Sequence, residues 1–300
     1  MPQTLKQKYG KLMQEASNYS VAPGKIDESN IFQPANMKLR EYFNILLNDN
    51  LLPESGISNT EHFKDFYNQV KNGKTGLILM EHYSNFDLPA IIYLLEKNGE
   101  DWAKDFAQNI VAVAGMKLNE DSLLVRCLTE AYSRVVIYPT RSLEKFEGSQ
   151  VSEEAKIEEE KRARKINFAS MRKMDELKKE GKVILVFPSG TRYRPGKPET
   201  KKGLKEIDSY LRLFDIVLPV TINGICLAIN PEAPEDMTSD LVLQDVMTLT
   251  AHPVLECKAF RKQVLDSLPQ DEPDPKQKII DKIMEILEIQ HNQIEESRSK

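Results

Sequence analysis

The stretch LILMEHYSNFDLPAII, residues 77–92, changes its period in the middle. Residues 77–80 form an apolar run without polar alternation, as in a strand covered on both faces. Asp87, Leu88 and Pro89 then open a helix, an acid and a proline being favoured in a first turn. A buried strand turning directly into a helix is the unit of a parallel α/β layer. Four more such runs, 110–114, 135–138, 183–187 and 216–221, alternate with amphipathic helices. The pattern predicts an α/β fold whose mixed, mainly parallel sheet is flanked by helices.

Upstream, the apolar residues recur with a helical period: Leu5, Tyr9, Leu12, Met13, Ala16, then Leu39, Tyr42, Phe43, Leu46, Leu47, then Phe63, Phe66, Tyr67, Val70. Loops rich in Pro, Gly, Asn and Ser separate them, with Asn59 or Thr60 suited to cap the third helix. The expected organisation is a small N-terminal helical bundle, residues 1–72, beside an α/β domain, residues 73–300. Within the latter, 152–179 reads as one long helix, its stripe Ile157, Ala163, Ile166, Phe168, Met171, Met174, Leu177 facing the sheet and its charges facing water. A last helix, Ile279, Ile280, Ile283, Met284, Ile286, Leu287, is expected to pack on the core, since its polar face is acidic and mixed rather than basic.

With 41 Lys and Arg against 46 Asp and Glu, the formal net charge of −5 gives no global attraction to nucleic acid or anionic lipid. Any anion site must therefore be local. No run approaches the roughly 20 apolar residues of a bilayer span, and the N-terminus lacks the basic and apolar regions of a secretory signal. The expected location is the cytoplasm or an equivalent compartment such as a plastid stroma, soluble or peripheral to a membrane. Cys127, Cys226 and Cys257 lack Cys-x-x-Cys spacing and read as buried thiols in a reducing compartment.

Several signals fail. Gly73-Lys74-Thr75 imitates the end of a phosphate-binding loop, but it precedes its strand and lacks the first glycine. His62, His82, His252 and His291 are scattered without metal-binding spacing, and neither a dinucleotide fingerprint nor a Gly-x-Ser-x-Gly elbow occurs. No metal and no cofactor are expected. His82 and Asp87, by contrast, stand just past a strand's carboxyl end, where α/β sheets carry ligands. A five-residue turn can fold the carboxylate onto the imidazole, making a base without a nucleophile; a capping Asp beside a packed His is the plain alternative. In KVILVFPSGTRYRPG, residues 182–196, a strand runs into Pro188, Ser189 and Gly190 and then projects Arg192 and Arg194. Two guanidiniums so spaced suit a phosphate, although a surface ion pair is the alternative. Arg141 ends another strand. Lys197, Lys201, Lys202 and Lys205 follow the arginines as candidates to meet an anionic donor, or as an ordinary solvated loop.

These residues resemble a family. HYSNFD (82–87) is similar to the H-x-x-x-x-D motif of glycerolipid acyltransferases, FPSGTR (187–192) to their Phe-Pro-(Glu/Ser)-Gly-(Thr/Gly)-Arg motif, and VLPVTINGI (217–225) to their later Pro-containing strand, all in order. VAGMKL (113–118), VIYPTR (136–141) and PSGTRYRP (188–195) more closely resemble the soluble, chloroplast-type glycerol-3-phosphate acyltransferases. The likeness spans residues 73–227 and implies His82 as base, Asp87 as its partner, and Arg141, Ser189, Gly190, Arg192 and Arg194 around the acceptor's phosphate. Ser142 departs from that pattern, which has His, and Glu81 from one that often has Asn.

The implied function is transfer of an acyl chain from acyl carrier protein or a coenzyme A thioester to the sn-1 hydroxyl of glycerol 3-phosphate, with no nucleic acid partner and at most peripheral membrane contact. Two other functions fit the residues. One is the same chemistry at the sn-2 hydroxyl of lysophosphatidate. The other is a noncatalytic phosphate-binding or adaptor protein.

Overall fold

The computed structural model describes residues 2–120, 123–147 and 152–298. The chain begins with α1 (Leu5–Ser17), β1 (Phe32–Gln33), α2 (Met37–Asn50), β2 (Gly56–Ser58) and α3 (Thr60–Lys71). Then come β3 (Gly76–Met80), α4 (Asp87–Lys97), α5 (Asp101–Asn109), β4 (Ile110–Gly115), α6 (Lys117–Glu120), α7 (Leu123–Glu130), β5 (Arg134–Ile137), α8 (Thr140–Glu147), α9 (Glu153–Lys179) and β6 (Val183–Val186). After α10 (Asp208–Leu213), β7 (Ile216–Asn223) is followed by β8 (Leu227–Ala228), β9 (Leu241–Val242), β10 (Thr248–Ala251), β11 (Leu255–Glu256), α11 (Cys257–Asp266) and α12 (Pro275–Arg298).

The five apolar runs are β3 to β7, and they form the parallel centre of the main sheet in the order β5-β4-β6-β3-β7. Every residue of β3, β6 and β7 is buried, which is why these strands lack polar alternation. β1 extends the sheet antiparallel to β5; at the other end β10 runs antiparallel to β7, and β2 parallel to β10. Pro219 sits inside β7 without an N–H to donate. It falls at the break between β10 and β11, where the neighbouring ladder is already interrupted.

Helices cover both faces. Leu5, Phe43, Phe63, Phe66, Phe106 and Ile91 share one core with Ile78, Leu185 and Leu218 of the sheet. Ile166, Met174, Phe260, Ile280 and Ile283 share the opposite core with Leu77, Leu79, Val136 and Ile184. The N-terminal helices thus lie on the sheet, and their segment adds β1 and β2 to it. Gly76 permits this closeness, because a Cβ there would stand 2.6 Å from the Phe66 ring. Asn59 does precede α3, but with a left-handed φ of 53° and no capping bond; its amide instead donates to the Ala251 carbonyl.

The long helix and the last helix occur where the sequence places them. Ser152 caps α9 by accepting from the Ala155 N–H. Ala163, Ile166, Met174 and Leu177 face the core as expected, but Ile157, Phe168 and Met171 do not: they are 53%, 66% and 47% exposed. The expected stripe is too wide for the single sheet face available. Asn167 bonds both the N–H and the carbonyl of Tyr138, so this point of α9 is level with the end of β5. The preceding turns run about 20 Å past the sheet's carboxyl edge. In α12, Ile279, Ile280, Ile283 and Leu287 are buried, and all three cysteines are buried and free. Among the described residues no helix is long and apolar enough to cross a membrane.

Candidate active site

The parallel strands end together at one edge, and the turn after β3 carries His82 there. Its Nδ1 lies 2.9 Å from Asp87 Oδ2. The same oxygen accepts the N–H groups of Tyr83, at 2.6 Å, and Ser84, at 2.8 Å, so three donors fix one fully buried carboxylate. The turn is sprung on the acid itself. Asp87 holds its own approach loop closed from the first turn of α4, and the Ser84 hydroxyl accepts from the Phe86 N–H. On its other side the imidazole stacks on Phe187, ring centroids 3.9 Å apart and planes within 14°. With Nδ1 engaged, Nε2 has no intramolecular partner among the described residues, and the ring is oriented to take a proton there.

The loop after β6 packs against this turn through one main-chain bond, from the Tyr193 N–H to the His82 carbonyl at 2.7 Å. Gly190 has φ +63°, and a Cβ there would stand 2.6 Å from Leu204 Cδ1, so both backbone and space require glycine. Ser189 is buried and donates its hydroxyl to the Thr191 carbonyl, which makes it a loop former.

Both arginines meet acids. Arg192, 8% exposed, pairs with fully buried Asp240, whose Oδ2 also accepts from Asn85 Nδ2 at 3.1 Å. Asp240 therefore ties the arginine loop to the histidine turn. Burial raises its pKa above the ordinary value even against the attraction of Arg192. Asp240 Oδ1 has no hydrogen-bond partner among the described residues. Arg194 forms a two-pronged pair with Glu235, at 2.5 and 3.2 Å. Arg141 is exposed at the start of α8, beyond the end of β5. Three strand spacings, about 14 Å, separate β5 from β3 in the sheet. The structure thus brings His82, Asp87 and Arg192 together, continues to Arg194, and leaves Arg141 apart.

Sequence reasoning missed Asp240 and Glu235, which lie in loops without any motif, and Asn85, an unspecified position inside the H-x-x-x-x-D stretch. It also left Glu81 unexplained. That carboxylate turns away from the cleft and accepts the Ile222 N–H at 2.9 Å and the Tyr83 hydroxyl at 2.9 Å, with His291 Nδ1 of α12 at 3.0 Å. Burial, reinforced by Glu81, pushes the Tyr83 hydroxyl well above the usual tyrosine range and keeps it a donor. Of the four lysines after the arginines, Lys201 pairs with Glu288 and Lys205 with Asp274 on or beside α12. No group of three or more His, Cys, Asp or Glu placed to hold a metal occurs among the described residues.

No curated protein matches the chain. A solved structure of the 1-acyl-sn-glycerophosphate (LPA) acyltransferase PlsC from Thermotoga maritima is similar at 14% identity and a TM-score of 0.41, over 94% of this chain and 81% of that one. The acyltransferase family matches residues 58–223, more than half of the 300. This span holds the strand ends, the His82 turn and the arginine loop, and the chain belongs to that family: it is an acyltransferase of the kind whose glycerolipid members its motifs resemble.

Proposed function

We propose that the protein esterifies a glycerol phosphate from an acyl thioester, carried by acyl carrier protein or coenzyme A, and that the acceptor hydroxyl is the sn-2 hydroxyl of lysophosphatidate. The observation that carries the chemistry is the His82–Asp87 pair beside the arginine loop. His82 Nε2 takes the hydroxyl proton as the oxygen attacks the thioester carbonyl, while Asp87 stabilises the imidazolium. The tetrahedral intermediate then collapses with cleavage of the C–S bond, and the proton passes from His82 to the departing thiolate. An ester and a free thiol result, with no covalent enzyme intermediate. Arg192 and Arg194 hold the phosphate and so position the hydroxyl.

What supports lysophosphatidate is the state of those arginines. Arg192 and Arg194 each face a carboxylate, and Arg141 stands across the sheet, so little uncompensated positive charge awaits a small dianion. Glycerol 3-phosphate has only polar groups with which to bind. An acceptor bearing an acyl chain adds apolar burial, about 0.8 kcal/mol per methylene. The likeness of PSGTRYRP to the chloroplast-type pattern favours glycerol 3-phosphate as a second reading. Transfer of a labelled acyl chain to each acceptor tests the choice. A kcat/KM at least tenfold higher for lysophosphatidate is expected; the reverse order selects the second reading, and thioester turnover with neither acceptor refutes both.

A further inference from the structure

The outward face of α9 has a composition that packing does not explain. Between residues 161 and 172, every exposed residue of this helix is Lys161, Arg164, Lys165, Phe168, Met171 or Arg172. At about 100° per residue these six span an arc of about 120°. Ala163, Ile166 and Ser170 are buried on the other side. Phe168 is 66% exposed, the highest value after Val21 among the large apolar residues whose burial is described. Ile157 continues the apolar line one turn earlier.

Charge decides what such a face fits. Lys161, Lys165 and Arg172 have no ion pair among the described residues, and Arg164 meets only Glu160, at 2.9 Å on the rim. Acids resume outside the arc or beyond its ends, at Glu158 and Asp175, the latter already paired with Lys178 and Lys179. Four cations thus surround two large apolar side chains on a protein whose formal net charge is −5. An aromatic ring that inserts among head groups, ringed by basic side chains whose stems lie along the apolar surface while their charges reach phosphates, is how an interfacial helix binds a membrane. The face continues along the turns of α9 that pass the sheet edge carrying His82.

We propose that this outward face of α9 docks the protein on an anionic phospholipid surface. The contact is peripheral. It relies on charge and one or two inserted side chains, so it is reversible and weakens as salt shortens the reach of the charges. It serves an acyltransferase whose lipid product must reach a bilayer, but it stands independently of which acceptor is used.

The test is cosedimentation of the full chain with phosphatidylcholine vesicles containing or lacking phosphatidylglycerol, at low and high salt. Wild type should sediment with the anionic vesicles at low salt and remain in solution with the neutral ones. Each cation lost should weaken partition about fivefold, so Lys161→Glu with Lys165→Glu should lose at least 25-fold, and Phe168→Ser about tenfold at either salt. All these side chains are exposed, so the variants should keep the wild-type melting curve and the wild-type transfer rate on detergent-dispersed substrate. Failure of wild type to bind anionic vesicles, or undiminished binding by both variants, would overturn the proposal. So would loss, in these variants, of turnover with an acidic carrier-protein donor while vesicle binding persists, which would assign the face to that protein. Because vesicle binding and acyl transfer are read separately, either can fail without the other.

Discussion

Replacing Asp240 by Asn removes the counter-charge of Arg192 while keeping the side chain's shape. Both partners are buried, at 0% and 8% exposure, so the pair is not one of the exposed kind that contributes about 0–1 kcal/mol. Leaving one buried charge without its partner costs about 3–5 kcal/mol, a fall in Tm of roughly 6–10 °C for a chain of this size. Removing both charges together strands neither and spares their desolvation, so what the pair supplies is the placing of Arg192. The double variant Asp240→Leu, Arg192→Met should therefore melt close to wild type or above it, yet lose 10-fold or more in kcat/KM for the phosphorylated acceptor. Thermal melts by circular dichroism and transfer kinetics at saturating thioester read the two effects separately. A single Asp240→Asn variant that melts within a degree of wild type, or a double variant with unchanged acceptor kinetics, would refute the reasoning.

His82→Ala should lower kcat by about 10²–10⁴ with the fold intact, and Asp87→Asn should resemble it in kcat, because the amide oxygen can still accept from Tyr83 and Ser84 but no longer stabilises an imidazolium; stopped-flow thiol release measures both. Glu235, whose side chain is 78% exposed, competes with any phosphate for Arg194, so Glu235→Gln should lower the acceptor KM several-fold with kcat little changed, as initial-rate kinetics would show. Glu130 ties residues 20, 21 and 36 to α7. Burial pushes its pKa up, but the bonds from Asn36, the Val21 N–H and Ser20 outweigh this and hold it below the ordinary 4.5. Its contribution is therefore present above pH 4.5 and lost as the pH falls through the depressed value, so the melting difference between wild type and Glu130→Gln should shrink on acidification.

The parallel centre of the fold was legible because burial on both faces leaves no choice of residue. β3 and β6 are apolar at every buried position and β7 at all but Thr221 and Asn223 near its end, so the run of residues is itself the constraint. β1, β2 and β10 were not legible. They are two to four residues long and lie toward the ends of the sheet, where pairing with a neighbour places little demand on side-chain type. The long helix shows the same limit from the other side. Ile157, Phe168 and Met171 satisfy a helical period as well as Ile166 and Met174 do, and only the position of the sheet decides which of them is covered.

In the site, what lies within a few residues could be read and what arrives from afar could not. The contact between His82 and Asp87 needs only a five-residue turn, and its geometry is fixed by groups inside that turn, the N–H groups of Tyr83 and Ser84. Arg192 and Arg194 were equally visible, but their state depends on Asp240 and Glu235, more than forty residues away in loops whose acids look like any others. The two acids also differ in kind. Glu235 is exposed, and an incoming phosphate can displace it from Arg194 at little cost. Asp240 is buried and shared with Asn85, so a phosphate that displaced it would strand a charge in the core. Arg194 is thus the cation free to exchange partners, while Arg192 is held still against the histidine turn, its place fixed before any acceptor arrives.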